Sequence, residues 1–180
     1  AAAKKKPQVG WAPIGRVKVP YTSSPADIDA ARRATLSVLA KDFWNNTWFA
    51  DPVFKGRYPE DGLRLYADDL RAYDNGRTLA VLTNAADLSV IHQPLDFYGI
   101  NVYDAEQYRA RADGSLEKVE YPPGHPQTAV RWFIDERALE WGARFLYEHY
   151  KVPIVITENG MSSHDWVDLD GRVRDPHRID

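Results

Sequence analysis

Apolar residues follow two spacings along this chain, and the alternation between them sets the first structural expectation. Compact runs rich in β-branched residues at positions 8–12, 96–102 and 153–157 read as buried strands. Long stretches with helical periodicity separate them, which predicts parallel pairing through helical crossovers. Ser24, Pro25 and Asp27 supply a cap, a proline at the first helical position and an acid in the first turn. The helix they open is expected to run through Ala30, Ala34 and Val38 towards Trp48 and to break before Pro52. Pro59 and Glu60 begin a second helix with Leu63, Leu65, Tyr66 and Leu70 along one side, ending near Asn75-Gly76. Residues 85–91 form a short helix, and residues 135–150 a last one with Leu139, Phe145 and Leu146 turned inward.

Residues 104–125 break this rhythm. Gly114, Pro122, Pro123, Gly124 and Pro126 oppose regular structure. Segments 108–111 and 116–121 still suit a hairpin around Asp113-Gly114. Because the stretch follows a strand directly, it is expected to lie over the mouth of a parallel α/β fold and to shape access there.

Bulk properties narrow the classes. With 180 residues, read as a single region over 1–180, the chain supports a sizeable core. It is short for a complete (β/α)8 barrel, which takes about 250 residues. Twenty-three basic and 26 acidic residues leave a net charge of -3, which gives no reason to expect nucleic acid or an anionic membrane as partner. With no cysteine, disulfides and thiolate metal sites are excluded. No apolar stretch approaches a membrane span and no signal-peptide pattern opens the chain, so a reducing, cytoplasmic setting is expected. The sequon Asn45-Asn46-Thr47 falls in an expected helix and reads as chance. Aromatic residues make up 12% of the chain. They stack on sugars but also fill ordinary cores, so composition alone favours the core.

Candidate chemistry concentrates in Val152-Pro153-Ile154-Val155-Ile156-Thr157-Glu158-Asn159-Gly160. An apolar strand stopped by Asn-Gly places Glu158 at the strand's C-terminal tip, where parallel barrels carry reacting groups. A carboxylate on rigid backbone there suits attack on a sugar carbon, although an acid opening a loop is also commonplace. His92, His125, His149, His164 and His177 show no i, i+4 pair for a metal. Neither a glycine-rich phosphate cradle nor a Gly-x-Ser-x-Gly elbow is present, and no cofactor is expected. His164 and Asp165, just after Glu158, read as solvated loop residues.

Several segments resemble glycoside hydrolase family 1, the β-glucosidase-like enzymes. Ile156-Thr157-Glu158-Asn159-Gly160 is similar to that family's nucleophile motif, and Asp96-Phe97-Tyr98-Gly99-Ile100-Asn101-Val102-Tyr103 to its sixth barrel strand. Trp11-Ala12-Pro13-Ile14-Gly15 stands in the place of the fifth. The stretch from Asp51-Pro52 to Tyr58-Pro59 resembles a signature between the two, and Gly171-Arg172-Val173 and Arg178-Ile179-Asp180 also match in order. Ala1-Ala2-Ala3-Lys4-Lys5-Lys6 looks like the tail of the helix before strand five. The resemblance implies a partial (β/α)8 TIM barrel, strands five to seven, with parallel strands and crossover helices.

It also implies roles. Glu158 would be the nucleophile of a retaining β-glycosidase and Tyr103 a hydrogen-bond donor to it. Asn101 would line the sugar pocket, and Trp132 would form a platform for the leaving group. Val102 stands where tyrosine is common, and Arg131 where many relatives carry glycine, which would narrow the platform or add a charge beside it. The family's acid/base glutamate lies in a Thr-x-Asn-Glu-Pro motif that these residues do not contain. The chain is thus expected to hold one reacting carboxylate of two and to be inactive alone. Its expected partners are a β-glycoside substrate, and the rest of the barrel or a second copy bound at open sheet edges. A catalytically silent barrel fragment and a sugar-binding module without turnover stand as alternatives.

Overall fold

The computed structural model describes residues 6–73 and 84–178. Two three-stranded sheets share one core. The first has the order β1-β3-β6, with β1 (Gly10–Trp11), β3 (Phe97–Val102) and β6 (Ile154–Asn159) all parallel, as the strand pattern predicts. The second has the order β2-β4-β5, with β2 (Val17–Pro20) parallel to β4 (Ala105–Ala110) and β4 antiparallel to β5 (Leu116–Val119).

The β4–β5 hairpin turns through Asp113-Gly114 as expected. Gly114 adopts φ +78° and the Asp113 carboxylate accepts the Ser115 N–H at 2.9 Å. β4 starts earlier than the pattern predicts, immediately after β3, because β2 gives it a parallel partner along Val17 to Pro20. Strand β2 itself has no clear sequence signal. All four of its residues are buried, and Lys18 between two valines breaks the apolar run.

Helix α1 (Pro25–Leu36) begins as expected, with the Ser24 hydroxyl accepting the Asp27 N–H at 3.2 Å. It does not reach Trp48. Ser37 turns extended, and α2 (Asn46–Lys55) starts anew after an irregular stretch. Side-chain amides hold that stretch: Asn45 donates to the carbonyls of Ala40 and Asp42, and Asn46 to those of Arg16 and Thr35. Asp61 accepts the Val38 N–H at 2.9 Å. These bonds offer the backbone partners outside a helix, a competition that apolar periodicity does not reveal. Pro52 lies inside α2 rather than beyond it. The helix absorbs the lost donor and continues for one turn, closing at Gly56 with φ +66°.

Helices α3 (Glu60–Leu65) and α4 (Ala67–Tyr73) divide at Tyr66 what reads in sequence as one helix. The expected stop at Asn75-Gly76 lies outside the described residues, as do Lys4 and Lys5. Helices α5 (Ala85–Ile91) and α6 (Arg137–Tyr150) fall where the pattern puts them. None of the described helices is long and apolar enough to cross a membrane.

The core gathers Tyr98, Ile100 and Val102 of β3 with Val17 and Val19 of β2, Ala31 of α1, and Trp141, Phe145 and Leu146 of α6. Burial of a side chain such as Phe145 stabilises by about 1.5–3 kcal/mol. Gly142 lets α6 approach closely, since a Cβ there would stand 2.6 Å from Val17 Cγ2. Among the described residues strand β6 pairs with β3 alone, and Val155 and Ile156 are 41% and 45% exposed.

Candidate active site

Successive strand residues face opposite sides, so one register decides which way Glu158 points. Along β3, Tyr98, Ile100 and Val102 are buried towards the helices, leaving Gly99, Asn101 and Tyr103 for the opposite face. β6 runs in step with β3 through Ile100 opposite Ile156, and then Asn101 pairs with Glu158. Thr157 is the extra residue of a β-bulge. Without it Glu158 would pair with Val102 and turn towards the helices. With it, Thr157 and Glu158 both accompany Asn101.

The side chains meet accordingly. The Tyr103 hydroxyl donates to Glu158 Oε2, and the Thr157 hydroxyl donates to Asn101 Oδ1 at 2.6 Å. The hydrogen bond to Glu158, reinforced by that carboxylate's charge, raises the phenol of Tyr103 above its ordinary acidity range. Both groups are exposed, and among the described residues no other side chain hydrogen-bonds Glu158. Asn159 turns to the other side and donates to the Val102 carbonyl at 2.8 Å.

Trp132 joins this group through Tyr103, their ring centroids 5.7 Å apart at 45°. A tight turn holds it. The Trp132 N–H donates to the Thr128 hydroxyl at 3.2 Å, and the Arg131 N–H to the Thr128 carbonyl at 2.9 Å. Arg131 closes the turn at φ +63°, a conformation that favours glycine. The turn is fastened to the loop after β6, since the Ala129 N–H donates to the Ser162 carbonyl at 3.0 Å and the Val130 N–H to Ser162 Oγ at 3.2 Å. Behind Trp132, Trp44 packs edge-on at 6.4 Å, with the Arg16 guanidinium 4.5 Å from its ring centroid.

All four residues singled out in the sequence, Asn101, Tyr103, Trp132 and Glu158, thus come to one end of the β3–β6 pair. Sequence reasoning missed Thr157, Trp44 and Ser162. Only the bulge distinguishes Thr157, and a register shift leaves no mark in residue type. Trp44 sits in the irregular stretch mistaken for helix. His164 and Asp165 stay exposed, and Asp165 accepts from Arg178 at 2.5 Å. No cluster of three potential metal-binding side chains occurs among the described residues.

Parallel strands with helical crossovers, and a carboxylate at a strand tip beside a tyrosine and a tryptophan, define an α/β segment with a candidate site at one end of its strands. The comparisons make that assignment specific. The family model for glycosyl hydrolase family 1 matches residues 1–180, and the chain belongs to that family. A β-glucosidase from Agrobacterium sp. is 33% identical, the alignment covering 93% of this chain and 35% of the relative. β-Glucosidase A from Thermotoga maritima is 30% identical over 89% of this chain and 33% of its own length. The solved structure of the Thermotoga maritima β-glucosidase in complex with deoxynojirimycin superposes with a TM-score of 0.64 at 30% identity, covering 97% of this chain and 36% of that one. The chain therefore spans about a third of these relatives, and its fold is part of a (β/α)8 barrel.

Proposed function

We propose that this chain is the nucleophile-bearing part of a retaining β-glycosidase of the β-glucosidase type. The observation that carries this reading is the bulge-directed placement of Glu158 beside Asn101, with the Tyr103 hydroxyl on its carboxylate. In the reaction, a Glu158 oxygen bonds to the anomeric carbon as the glycosidic bond breaks, giving a glycosyl ester. A second carboxyl group, about 5–5.5 Å away in retaining enzymes, protonates the departing oxygen and then takes a proton from the attacking water. Tyr103 holds the carboxylate by donating its hydroxyl proton to it, Asn101 contacts the sugar, and Trp132 supports the leaving group.

The Thr-x-Asn-Glu-Pro string that would supply the second carboxyl is not among these 180 residues. General acid catalysis contributes on the order of 10² to 10⁴-fold, so turnover belongs to a complete barrel carrying this segment. Proton NMR of the first-formed sugar from an aryl β-glucoside tests the reading. The β-anomer is expected first, and initial release of the α-anomer would overturn it.

A second reading, a barrel segment acting through association, is favoured by one observation. Strand β6 exposes Val155 and Ile156 beside an edge that pairs with nothing among the described residues. Light scattering on the 180-residue chain is expected to report a mass above that of a monomer. A well-behaved monomer would count against it.

A further inference from the structure

The loop following β6 carries a second aromatic feature that the chemistry of Glu158 does not use. Trp166 is 75% exposed, and the His164 ring lies 6.4 Å from it at 33°. An indole left in water retains apolar area that a ligand can cover. Trp166 lines a cleft of about 700 Å³, a volume that suits a small-molecule site. Gln127, Ser163, His164, Arg174 and Asp175 also line it.

The lining mixes the Trp166 indole and the apolar side chains of Ile134, Met161 and Pro176 with amide, hydroxyl, imidazole and carboxylate groups. That is the chemistry of a carbohydrate, whose C–H face stacks on an indole and whose hydroxyls both donate and accept. The charges in the wall are already compensated. Arg174 pairs with Asp170 at 2.6 Å and with Asp168, and Asp175 pairs with Arg178. A neutral ligand fits such a wall better than an ionic one.

Position supplies the connection to the reacting carboxylate. Residues 126–129 of one wall lead directly into the Trp132 turn, and residues 161–166 of the other leave directly from Glu158-Asn159-Gly160. Ser162 ties the two walls together through Ala129 and Val130. It stands four residues beyond Glu158, so at most about 14 Å of chain separates them.

We infer that this cleft is a remote leaving-group subsite. It binds neutral sugar units of an oligosaccharide β-glycoside beyond the unit resting on Trp132, and Trp166 is its stacking platform. The inference rests on Glu158 being the reacting carboxylate.

The test uses a complete barrel carrying this segment and compares p-nitrophenyl β-glucoside, cellobiose and cellotetraose. Trp166→Ala is expected to lower kcat/KM for cellotetraose about five- to tenfold, mainly through KM, while the aryl glucoside stays within about twofold. Trp166→Phe is expected to restore most of the loss. Equal losses on all three substrates, or no loss on any, would overturn the subsite. Calorimetric binding of cellotetraose to the Glu158→Gln enzyme, with and without Trp166→Ala, reads the cleft without turnover. An unchanged Kd there overturns the subsite. Absent hydrolysis of the aryl glucoside by the unsubstituted enzyme fails the reading of Glu158 instead. Trp166 fully shielded from acrylamide quenching in that enzyme would also remove the subsite, because the rest of the chain would then occupy its face.

Discussion

Glu106, in the β2–β4–β5 sheet, lies among three cations: Lys18 at 2.6 Å, Lys118 at 2.9 Å and Arg16 at 3.6 Å. Among the described residues Glu158, at the tip of β6, accepts from one neutral phenol. Burial alone would raise the Glu106 carboxyl, but Lys18 and Lys118 outweigh it and hold the group down at about 2. For Lys18 burial prevails over the pull of Glu106 and lowers its ammonium below the ordinary range. The same side-chain type is therefore locked among cations in one sheet and held by a single neutral donor in the other. On the proposed reading, that difference leaves Glu158 available to bond with a sugar carbon, which is what a nucleophile needs.

Replacing each carboxylate separates the two roles most sharply. Glu158→Ala in a complete barrel is expected to cut kcat by at least on the order of 10⁴-fold with little change in unfolding midpoint, measured by aryl glucoside turnover and urea denaturation. Glu106→Gln should do the reverse, costing about 2–4 kcal/mol of stability while leaving kcat close to unchanged. The pH dependence follows from the sign of its shift. The folded carboxyl is depressed from 4.5 to about 2, so its contribution is complete above 4.5 and disappears as pH falls towards 2. An acid-unfolding profile of Glu106→Gln as steep across that window as that of the unsubstituted chain would contradict this assignment.

Tyr103→Phe probes the one side-chain hydrogen bond that Glu158 makes among the described residues. Loss of one hydrogen bond to a charged group should lower kcat/KM about 10- to 100-fold, read by steady-state kinetics. Spectrophotometric titration of Glu158→Gln should show the Tyr103 phenol ionising at lower pH than in the unsubstituted enzyme, because its upward shift comes first from Glu158. The smallest effect is expected at Arg131. With φ +63°, Arg131→Gly relieves a left-handed strain at the cost of unfolded-chain entropy, so stability should rise by no more than about 1 kcal/mol. A marked loss in the denaturation midpoint would show that the arginine side chain holds the Trp132 turn.

Strand β3 and helix α6 were legible because their burial repeats at one period over many residues, as Tyr98, Ile100 and Val102 and then Trp141 and Phe145 show. The place of Glu158 at a strand tip was legible because Asn-Gly punctuates a β-branched run, whereas its proposed role came only from the family resemblance. Strand β2 was not, since Lys18 reads as a surface residue until Glu106 arrives from 88 positions away. The end of α1 was hidden for a similar reason: Asn45, Asn46 and Asp61 divert the backbone through side-chain bonds that no local period encodes. The bulge at Thr157 is the deepest case. It fixes which way Glu158 faces, yet it arises from pairing between strands rather than from any residue in β6 alone.

Covalent trapping with a 2-deoxy-2-fluoro β-glucoside, followed by peptide mapping of a complete barrel carrying this segment, tests the role of Glu158 most directly. The account predicts one glycosyl adduct per active site, on the peptide containing Ile156-Thr157-Glu158-Asn159-Gly160. An adduct on another carboxylate, or labelling that persists in Glu158→Ala, would contradict it.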